Sequence, residues 1–200
     1  QAGNRLHEAQ LEQERAKLYA LRSQINPHFL YNTLECAKGL AYQNHVPALA
    51  GMLDSMARIF RYSIKGPGMV RLKDELEVSR AYLSIQGARF PGRFDVRFEI
   101  EDRAPAAEIP KMTLQPLIEN AIVHGLEGQL SGGELTVSGR REGAYLRFVV
   151  SDDGAGMSAE TLERVRRMKP NGMYNIGLSN VNQRARLYGD ERCGVEITMA

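Results

Sequence analysis

The sequence predicts an α+β protein in which an N-terminal helical hairpin precedes a domain of mixed helices and strands. Three observations support this prediction. Apolar residues recur at helical spacing through residues 1–64, strict alternation appears at residues 94–100, and the run Lys65-Gly66-Pro67-Gly68 separates the two patterns. We therefore expect two domains, one over residues 1–68 and one over residues 69–200.

The composition excludes several classes of protein. With 43% hydrophobic and 25% charged residues, the 200-residue chain has the make-up of a globular protein. Its 26 basic and 24 acidic residues leave a net charge of +2, which gives no indication of nucleic-acid binding. No apolar run reaches the roughly 20 residues of a membrane span, so we expect no membrane contact within this fragment. Two cysteines without CxxC spacing indicate a reducing compartment.

The first helix shows a heptad pattern. Leu11, Leu18 and Ile25 are spaced seven residues apart, which is typical of a helix that pairs with another helix. A single helix packed against its own domain remains the alternative. Asn26-Pro27 then interrupts the pattern, because proline lacks a backbone donor and restricts the residue before it.

Two further helices are predicted before the boundary. Helical spacing resumes from His28 to Tyr42 and, after a break at Asn44 to Pro47, runs again from Ala48 to Ile64. These segments predict the hairpin, and we expect the N-terminal helices to form a homodimer.

The second domain is predicted to contain a mainly antiparallel sheet with helices on one face. Helices are expected at residues 72–89, 114–126, 159–168 and 178–188, and strands at residues 94–100, 135–137, 145–150 and 195–198.

Polar residues stand on the otherwise apolar helix at 114–126. Glu119 and Asn120 cost free energy there unless a partner or ligand satisfies them. The amide oxygen of Asn120 suits a hard cation such as Mg²⁺, and His124 follows one helical turn later. A hydrogen-bonded core asparagine and a surface histidine are the alternative.

Two glycine-containing segments complete the pattern. Asp152, Gly154 and Gly156 follow a predicted strand, where a carboxylate can accept a hydrogen bond from an adenine amino group and glycine lets the backbone approach a ligand. A simple turn is the alternative for this segment. Gly177 and Leu178 open a helix, whose free N–H groups favour phosphate.

In this order, the three segments resemble the N, G1 and G2 boxes of the GHKL ATPase superfamily. The resemblance implies a GHKL (Bergerat) α/β-sandwich domain that binds ATP and Mg²⁺, with Asn120 as the Mg²⁺ ligand. We also predict a phosphate contact from Arg184. The nucleotide-binding residues are then Asn120, His124, Asp152, Gly154, Gly156, Gly177, Leu178 and Arg184.

Residues 21–34, Leu-Arg-Ser-Gln-Ile-Asn-Pro-His-Phe-Leu-Tyr-Asn-Thr-Leu, are similar to the phosphoacceptor segment of LytS/YesM-type sensor histidine kinases. In this context His28 is the expected phosphoacceptor, since a neutral imidazole is a nucleophile. Asn32 lies one turn beyond His28. Phe29 stands where many histidine kinases carry an acidic base, and Glu119 is a candidate base on its chemistry alone.

The sequence thus predicts the cytoplasmic kinase core of a bacterial membrane sensor. The core would phosphorylate His28 from ATP within a homodimer and pass the phosphoryl group to the receiver domain of a response regulator. Val123 and Asn175 depart from the family pattern, and we expect the ATP-binding domain to be truncated at its C-terminus. Two alternatives remain open: a degenerate kinase that acts as a dimeric nucleotide-binding or interaction module, and a GHKL ATPase without kinase activity.

Overall fold

A computed structural model describes residues 27–102, 104–126, 128, 132–166 and 176–199. The predicted heptad helix from Leu11 to Ile25 lies outside these residues. The chain divides into two compact units between Ile64 and Lys65, at the near end of the predicted linker. Among the described residues, no helix has the length and apolar character required to cross a membrane.

The first unit contains the predicted helical hairpin. Helix α1 spans Pro27–Gln43 and helix α2 spans Pro47–Ile64. Each begins with a proline, whose fixed φ suits the first helical position and whose missing N–H costs nothing there. Small side chains form the buried contact between the helices: Ala41, Ala50 and Ala57.

Polar contacts also join the two helices. Lys38 on α1 forms ion pairs with Glu35 at 2.8 Å and with Asp54 of α2 at 3.2 Å. The guanidinium group of Arg61 on α2 donates a hydrogen bond to the hydroxyl of Tyr31 and lies 4.6 Å from the centre of its ring. These contacts fix the hairpin in addition to the alanine packing.

The second unit is built from short strands and four helices within the described residues. In chain order, its elements are β1 (Met69–Arg71), α3 (Leu72–Arg89), β2 (Phe94–Ile100), a 3₁₀ turn (Ala104–Ala106), β3 (Glu108–Pro110), α4 (Leu114–Asn120), a π-helical extension of α4 (Ala121–Leu126), β4 (Gly133–Glu142), β5 (Tyr145–Asp152), α5 (Ala159–Arg166) and α6 (Ile176–Tyr188).

The main sheet has the strand order β2-β4-β5 and is mixed, which corrects the expectation of a mainly antiparallel sheet. β2 and β4 are parallel, with Phe98 opposite Val137, because the chain crosses over through α4 between them. β4 and β5 form an antiparallel hairpin, with Gly139 opposite Phe148, and its turn contains Gly143 at a φ of +64°. β1 and β3 form a separate antiparallel pair.

The core of this unit lies between one face of the sheet and the helices. Along β2 the side chains alternate between half-buried and exposed, so its other face meets solvent. β4 is central in the sheet and contributes fully buried side chains. The largest fully buried apolar residues are Leu72, Leu114, Ile118, Ile122, Leu135, Val137 and Val181.

Several predicted elements are confirmed and one is wrong. Helix α3 and strand β2 have the predicted bounds. The strand expected at 195–198 does not form, because side chains take up the backbone groups that a strand partner would use. The Val195 N–H donates to Oδ1 of Asn182 at 3.0 Å, and the Ile197 carbonyl accepts from Nε of Arg166 at 3.0 Å.

Candidate functional site

The end of the α4 extension meets the loop after β5 without intervening side chains. The Ala155 N–H donates to the Gly125 carbonyl at 3.1 Å. A Cβ added to Gly125 would lie 2.2 Å from Oδ1 of Asp152, and one added to Gly154 would lie 2.3 Å from the Gly125 carbonyl oxygen. The close contact at Gly154 is with backbone and requires glycine, whereas that at Gly125 is with the Asp152 carboxylate. The extension of the helix that carries Asn120 is thus held directly against the Asp152 loop.

Asp152 is exposed at the end of β5. Its Oδ1 accepts a hydrogen bond from the Gly154 N–H at 3.0 Å, while its Oδ2 accepts none from the described residues. The neighbouring Asp153 bonds instead to the sheet, since its Oδ1 accepts from the Glu134 N–H at 2.7 Å. Gly156, further along the loop, has a φ of +67°. The loop is thus anchored by Asp153 and presents one oxygen of Asp152.

The three polar residues of the α4 segment differ in exposure. Glu119 is exposed, whereas Asn120 and His124 are half-buried. His124 belongs to the π-helical extension. A π-helix bonds residue i to i+5, so its turns hold more residues and His124 falls short of one full turn beyond Asn120. The common face predicted for Asn120 and His124 stays a prediction.

Helix α6 begins beside α4. Gly177 is its second residue, and a Cβ there would lie 3.5 Å from Cβ of Pro116 on α4. Leu178 is buried, while Asn175 lies outside the described residues. The first N–H groups of a helix have no partner within it, so the start of α6 offers backbone donors to an anion. α4 thus contacts both the Asp152 loop and α6.

The structure also reveals a functional candidate that the sequence analysis missed. Glu75 on α3 is buried, and its carboxylate accepts hydrogen bonds from three successive backbone N–H groups, those of Met112, Thr113 and Leu114. It therefore caps the start of α4 from another helix. The sequence does contain a signal for Glu75, because this acidic residue lies on the apolar face of α3, beside Leu72 and Leu76.

Arg184 on α6 lies in the same region as Glu75. Its Nη2 donates to the Met112 carbonyl at 2.7 Å. Burial lowers the pKa of Arg184, and the negative charge of Glu75 opposes that shift; the same two effects act on the pKa of Lys111. The observed contact of Arg184 is thus with the backbone before α4, and its phosphate contact stays a prediction.

The first unit presents His28 in the first turn of α1. His28 is exposed, and Nδ2 of Asn32, one turn later, lies 3.3 Å from each ring nitrogen. Phe29, next to the histidine, is 69% exposed. The imidazole is therefore accessible and has an amide beside it.

The donor set of the second unit fits a magnesium nucleotide. A carboxylate oxygen at Asp152 suits an amino group, the start of α6 suits phosphate oxygens, and the amide oxygen of Asn120 suits Mg²⁺. Within the part of the chain that the structure describes, no group of three or more histidine, cysteine, aspartate or glutamate side chains could hold a metal ion. Ligation of Mg²⁺ by Asn120 therefore stays a prediction.

Comparison with known proteins finds a family match for each of two regions of the chain. The histidine kinase family matches residues 16–94, and the family of histidine kinase-, DNA gyrase B- and HSP90-like ATPases matches residues 106–199. Sensor histidine kinase YesM of Bacillus subtilis is 36% identical over 95% of this chain and 32% of its own length. Sensor histidine kinase YpdA of Escherichia coli is 36% identical over 88% of this chain and 31% of its own length.

A third relative, the sensor histidine kinase/phosphatase LytS of Staphylococcus aureus, is 30% identical over 87% of this chain and 30% of its own length. The chain thus spans about a third of the length of these relatives. The solved histidine kinase domain of a blue-light activated histidine kinase from Erythrobacter litoralis is 13% identical, covers 79% of this chain and 75% of its own, and has a TM-score of 0.44. On the two family matches and these relatives, the chain belongs to the LytS/YesM-type sensor histidine kinases, with a GHKL ATPase fold in its second unit.

Proposed function

We propose that this chain is the kinase core of a two-component sensor, which binds Mg²⁺ and ATP and transfers the γ-phosphoryl group to His28. The observation that carries this proposal is the exposed imidazole of His28, set beside Asn32 in a region that matches the histidine kinase family. In this proposal, residues 1–68 form the dimerisation and phosphoacceptor domain, and residues 69–200 form the ATP-binding domain.

Nucleotide recognition is assigned to groups that lie around α4. The oxygen of Asp152 that accepts no hydrogen bond from the described residues would accept one from the adenine amino group. Gly154 and Gly156 allow the loop to approach the base closely. The N–H groups at Gly177 and Leu178 would bind phosphate oxygens, and His124 would contribute a further polar contact.

In the proposed transfer step, each reacting group has one role. A ring nitrogen of His28 uses its lone pair to form a bond to the γ-phosphorus, the bond from that phosphorus to the β–γ bridging oxygen breaks, and ADP leaves with the electron pair. The imidazole proton passes to a base, for which the exposed carboxylate of Glu119 is the candidate. The side-chain amide of Asn32 would fix the orientation of the His28 imidazole. Positioning and charge neutralisation are the main requirements of such a step.

The hairpin is proposed to dimerise and to meet a response regulator. A hairpin that exposes several large apolar side chains is expected to pair with a second copy. The phosphoryl group would then pass from His28 to an aspartate of the receiver domain. We place this core on the cytoplasmic side of a membrane sensor. The exposed apolar residues of the hairpin are Phe29, Leu40, Tyr42, Val46, Leu49, Met56 and Ile64.

The test uses γ-labelled ATP and four proteins: the parent, His28→Gln, His45→Asn and Asp152→Asn. His45 is the matched control, because it is an exposed histidine of the same hairpin and asparagine accepts its left-handed φ of 57°. We expect acid-labile label on the parent and on His45→Asn only. His28→Gln should still bind ATP, whereas Asp152→Asn should bind it more weakly.

Other outcomes would remove the proposal. Label that persists in His28→Gln would place the acceptor elsewhere. Release of inorganic phosphate without labelled protein would favour a GHKL ATPase, and nucleotide binding with neither product would favour a degenerate module.

A further inference from the structure

Glu75 is an acidic side chain in an unusual position. It is 1% exposed and lies among the apolar residues of α3. Its Oε1 accepts from the Met112 N–H at 2.6 Å, and its Oε2 accepts from the N–H groups of Thr113 and Leu114, each at 2.9 Å. A buried carboxylate is costly unless it is well hydrogen-bonded, so three charge-assisted bonds to one short segment indicate a specific role there.

The start of α4 depends on this carboxylate. Thr113 occupies the N-cap position but makes no side-chain capping bond to the helix, and its hydroxyl donates to the Pro110 carbonyl instead. Glu75 on α3 instead accepts from the N–H groups of Met112, Thr113 and Leu114, at the entry to α4. Loss of Glu75 would leave them without their observed acceptor.

Met112 is held from both sides. It is a non-glycine residue with a φ of 61°, a backbone conformation that methionine rarely adopts. Its N–H donates to Glu75 on α3, and its carbonyl accepts from Arg184 on α6 at 2.7 Å. Contacts from two helices thus determine the backbone at the entry to α4.

We propose that Glu75, Met112 and Arg184 form a latch that positions α4 relative to α6 for nucleotide binding. This proposal rests on the proposed function. Asn120 lies at the end of α4, and Gly177 and Leu178 lie at the start of α6. Glu75 and Arg184 act as positioning residues, since their observed contacts are with the protein backbone and the Met112 carbonyl and N–H connect them.

The latch and a direct contact between Arg184 and phosphate predict different effects on the affinities for ATP and ADP. Misplacement of α4 weakens the binding of every nucleotide that contacts Asn120 and the Asp152 loop. The affinities for ATP and ADP should therefore fall by the same factor. A guanidinium that binds the γ-phosphate would instead affect ATP much more than ADP. The ratio of the two affinities therefore distinguishes the two roles.

The experiment measures dissociation constants for Mg²⁺-ATP and Mg²⁺-ADP by calorimetry, at a temperature where circular dichroism shows every protein folded. The variants are Glu75→Gln, Arg184→Met, the double variant, and Glu77→Gln as the control, an exposed glutamate on the same helix. Loss of one charge-assisted hydrogen bond corresponds to roughly tenfold. We expect Glu75→Gln to weaken the binding of both nucleotides about tenfold and Glu77→Gln to leave both affinities unchanged. The double variant should bind no less tightly than the single variant with the lower affinity.

Two results would overturn the latch: parent-like affinities in Glu75→Gln, or a loss in Arg184→Met that is confined to ATP. If Glu75→Gln does not fold, Arg184→Met decides alone, with equal losses supporting the latch and no loss refuting it.

A parent that binds no nucleotide would refute the proposed function and leave the latch testable by hydrogen exchange. The amides of residues 114–120 should then exchange faster in Glu75→Gln than in Glu77→Gln. Equal exchange would refute the latch as well.

Discussion

The two units of this chain use their apolar residues in opposite ways. The described hairpin buries only alanines among its apolar side chains and exposes larger ones, such as Leu40 and Leu49. The second unit buries its leucines, isoleucines and valines between the sheet and the helices. A hydrophobic surface left in water favours association. Under the proposed function a second copy would cover this surface of the hairpin, whereas the second unit carries its own core.

The largest expected effect follows from this contrast. Ile118 on α4 is 0% exposed, and Ile118→Ala should lower the free energy of unfolding of the second unit by about 3 kcal/mol through lost burial and a cavity. Leu49→Ala, at a hairpin residue that is 45% exposed, should change the stability of the monomer by less than about 1 kcal/mol and weaken dimerisation instead. Urea unfolding and sedimentation measure the two effects. Equal losses of stability would remove the contrast.

A smaller loss of stability is expected from a change at the junction of the α4 extension and the Asp152 loop. In Gly154→Ala, the new Cβ would meet backbone atoms of Gly125 at 2.3 to 2.5 Å, which no side-chain rotation can relieve. We expect a cost of about 2 kcal/mol and weaker nucleotide binding. Urea unfolding and calorimetry would measure both. A variant with parental stability and affinity would show that the close contact is not required.

Gains of stability are expected at two helix-interior glycines. An added Cβ would contact nothing within 4 Å at Gly51 on α2 or at Gly87 on α3. Each change to alanine should stabilise its unit by about 0.5 to 1 kcal/mol, because alanine has the higher helix propensity. Thermal unfolding of the two variants provides the comparison. A loss at Gly51 alone would contradict this prediction and place that position in a packed interface.

The smallest effect concerns pH and the end of α6. The Tyr145 hydroxyl bonds to Asp190 at 2.6 Å, and Arg192 bonds to it through its side chain and its N–H. These bonds hold the pKa of Asp190 well below its usual value of 3.8. A lowered pKa in the folded state stabilises the fold above the unfolded value, and this contribution is lost as the pH falls toward the folded value.

Asp190→Asn should therefore be slightly less stable than the parent at pH 7, and the difference should shrink below about pH 4. Urea unfolding across this range measures the trend. A difference that stays constant with pH would exclude the charge of Asp190 as its cause.

Much of the fold could be predicted because it depends on local patterns. The period of α3 and the alternation of β2 are present in their own residues, so their bounds were predicted correctly. β1 and β3 have three residues each, which is too short for a period to appear. The strand expected at 195–198 failed because Asn182 and Arg166, distant in sequence, take up backbone groups of that segment.

The candidate site could be predicted in part for the same reason. Asp152 and the glycines around it are contiguous in sequence, and the structure places them against the end of the α4 extension. The capping bonds from Glu75 to residues 112–114 link segments far apart in the chain, and no local pattern encodes the pairing. The contact of Arg184 with Met112 is likewise a tertiary one.

Mass spectrometry of the protein after incubation with Mg²⁺ and ATP, under conditions that preserve acid-labile phosphate, identifies the residue that is phosphorylated. We expect one phosphoryl group on His28, absent from His28→Gln and retained in His45→Asn. Phosphate on another residue, or an unmodified protein that binds or hydrolyses ATP, would contradict this expectation.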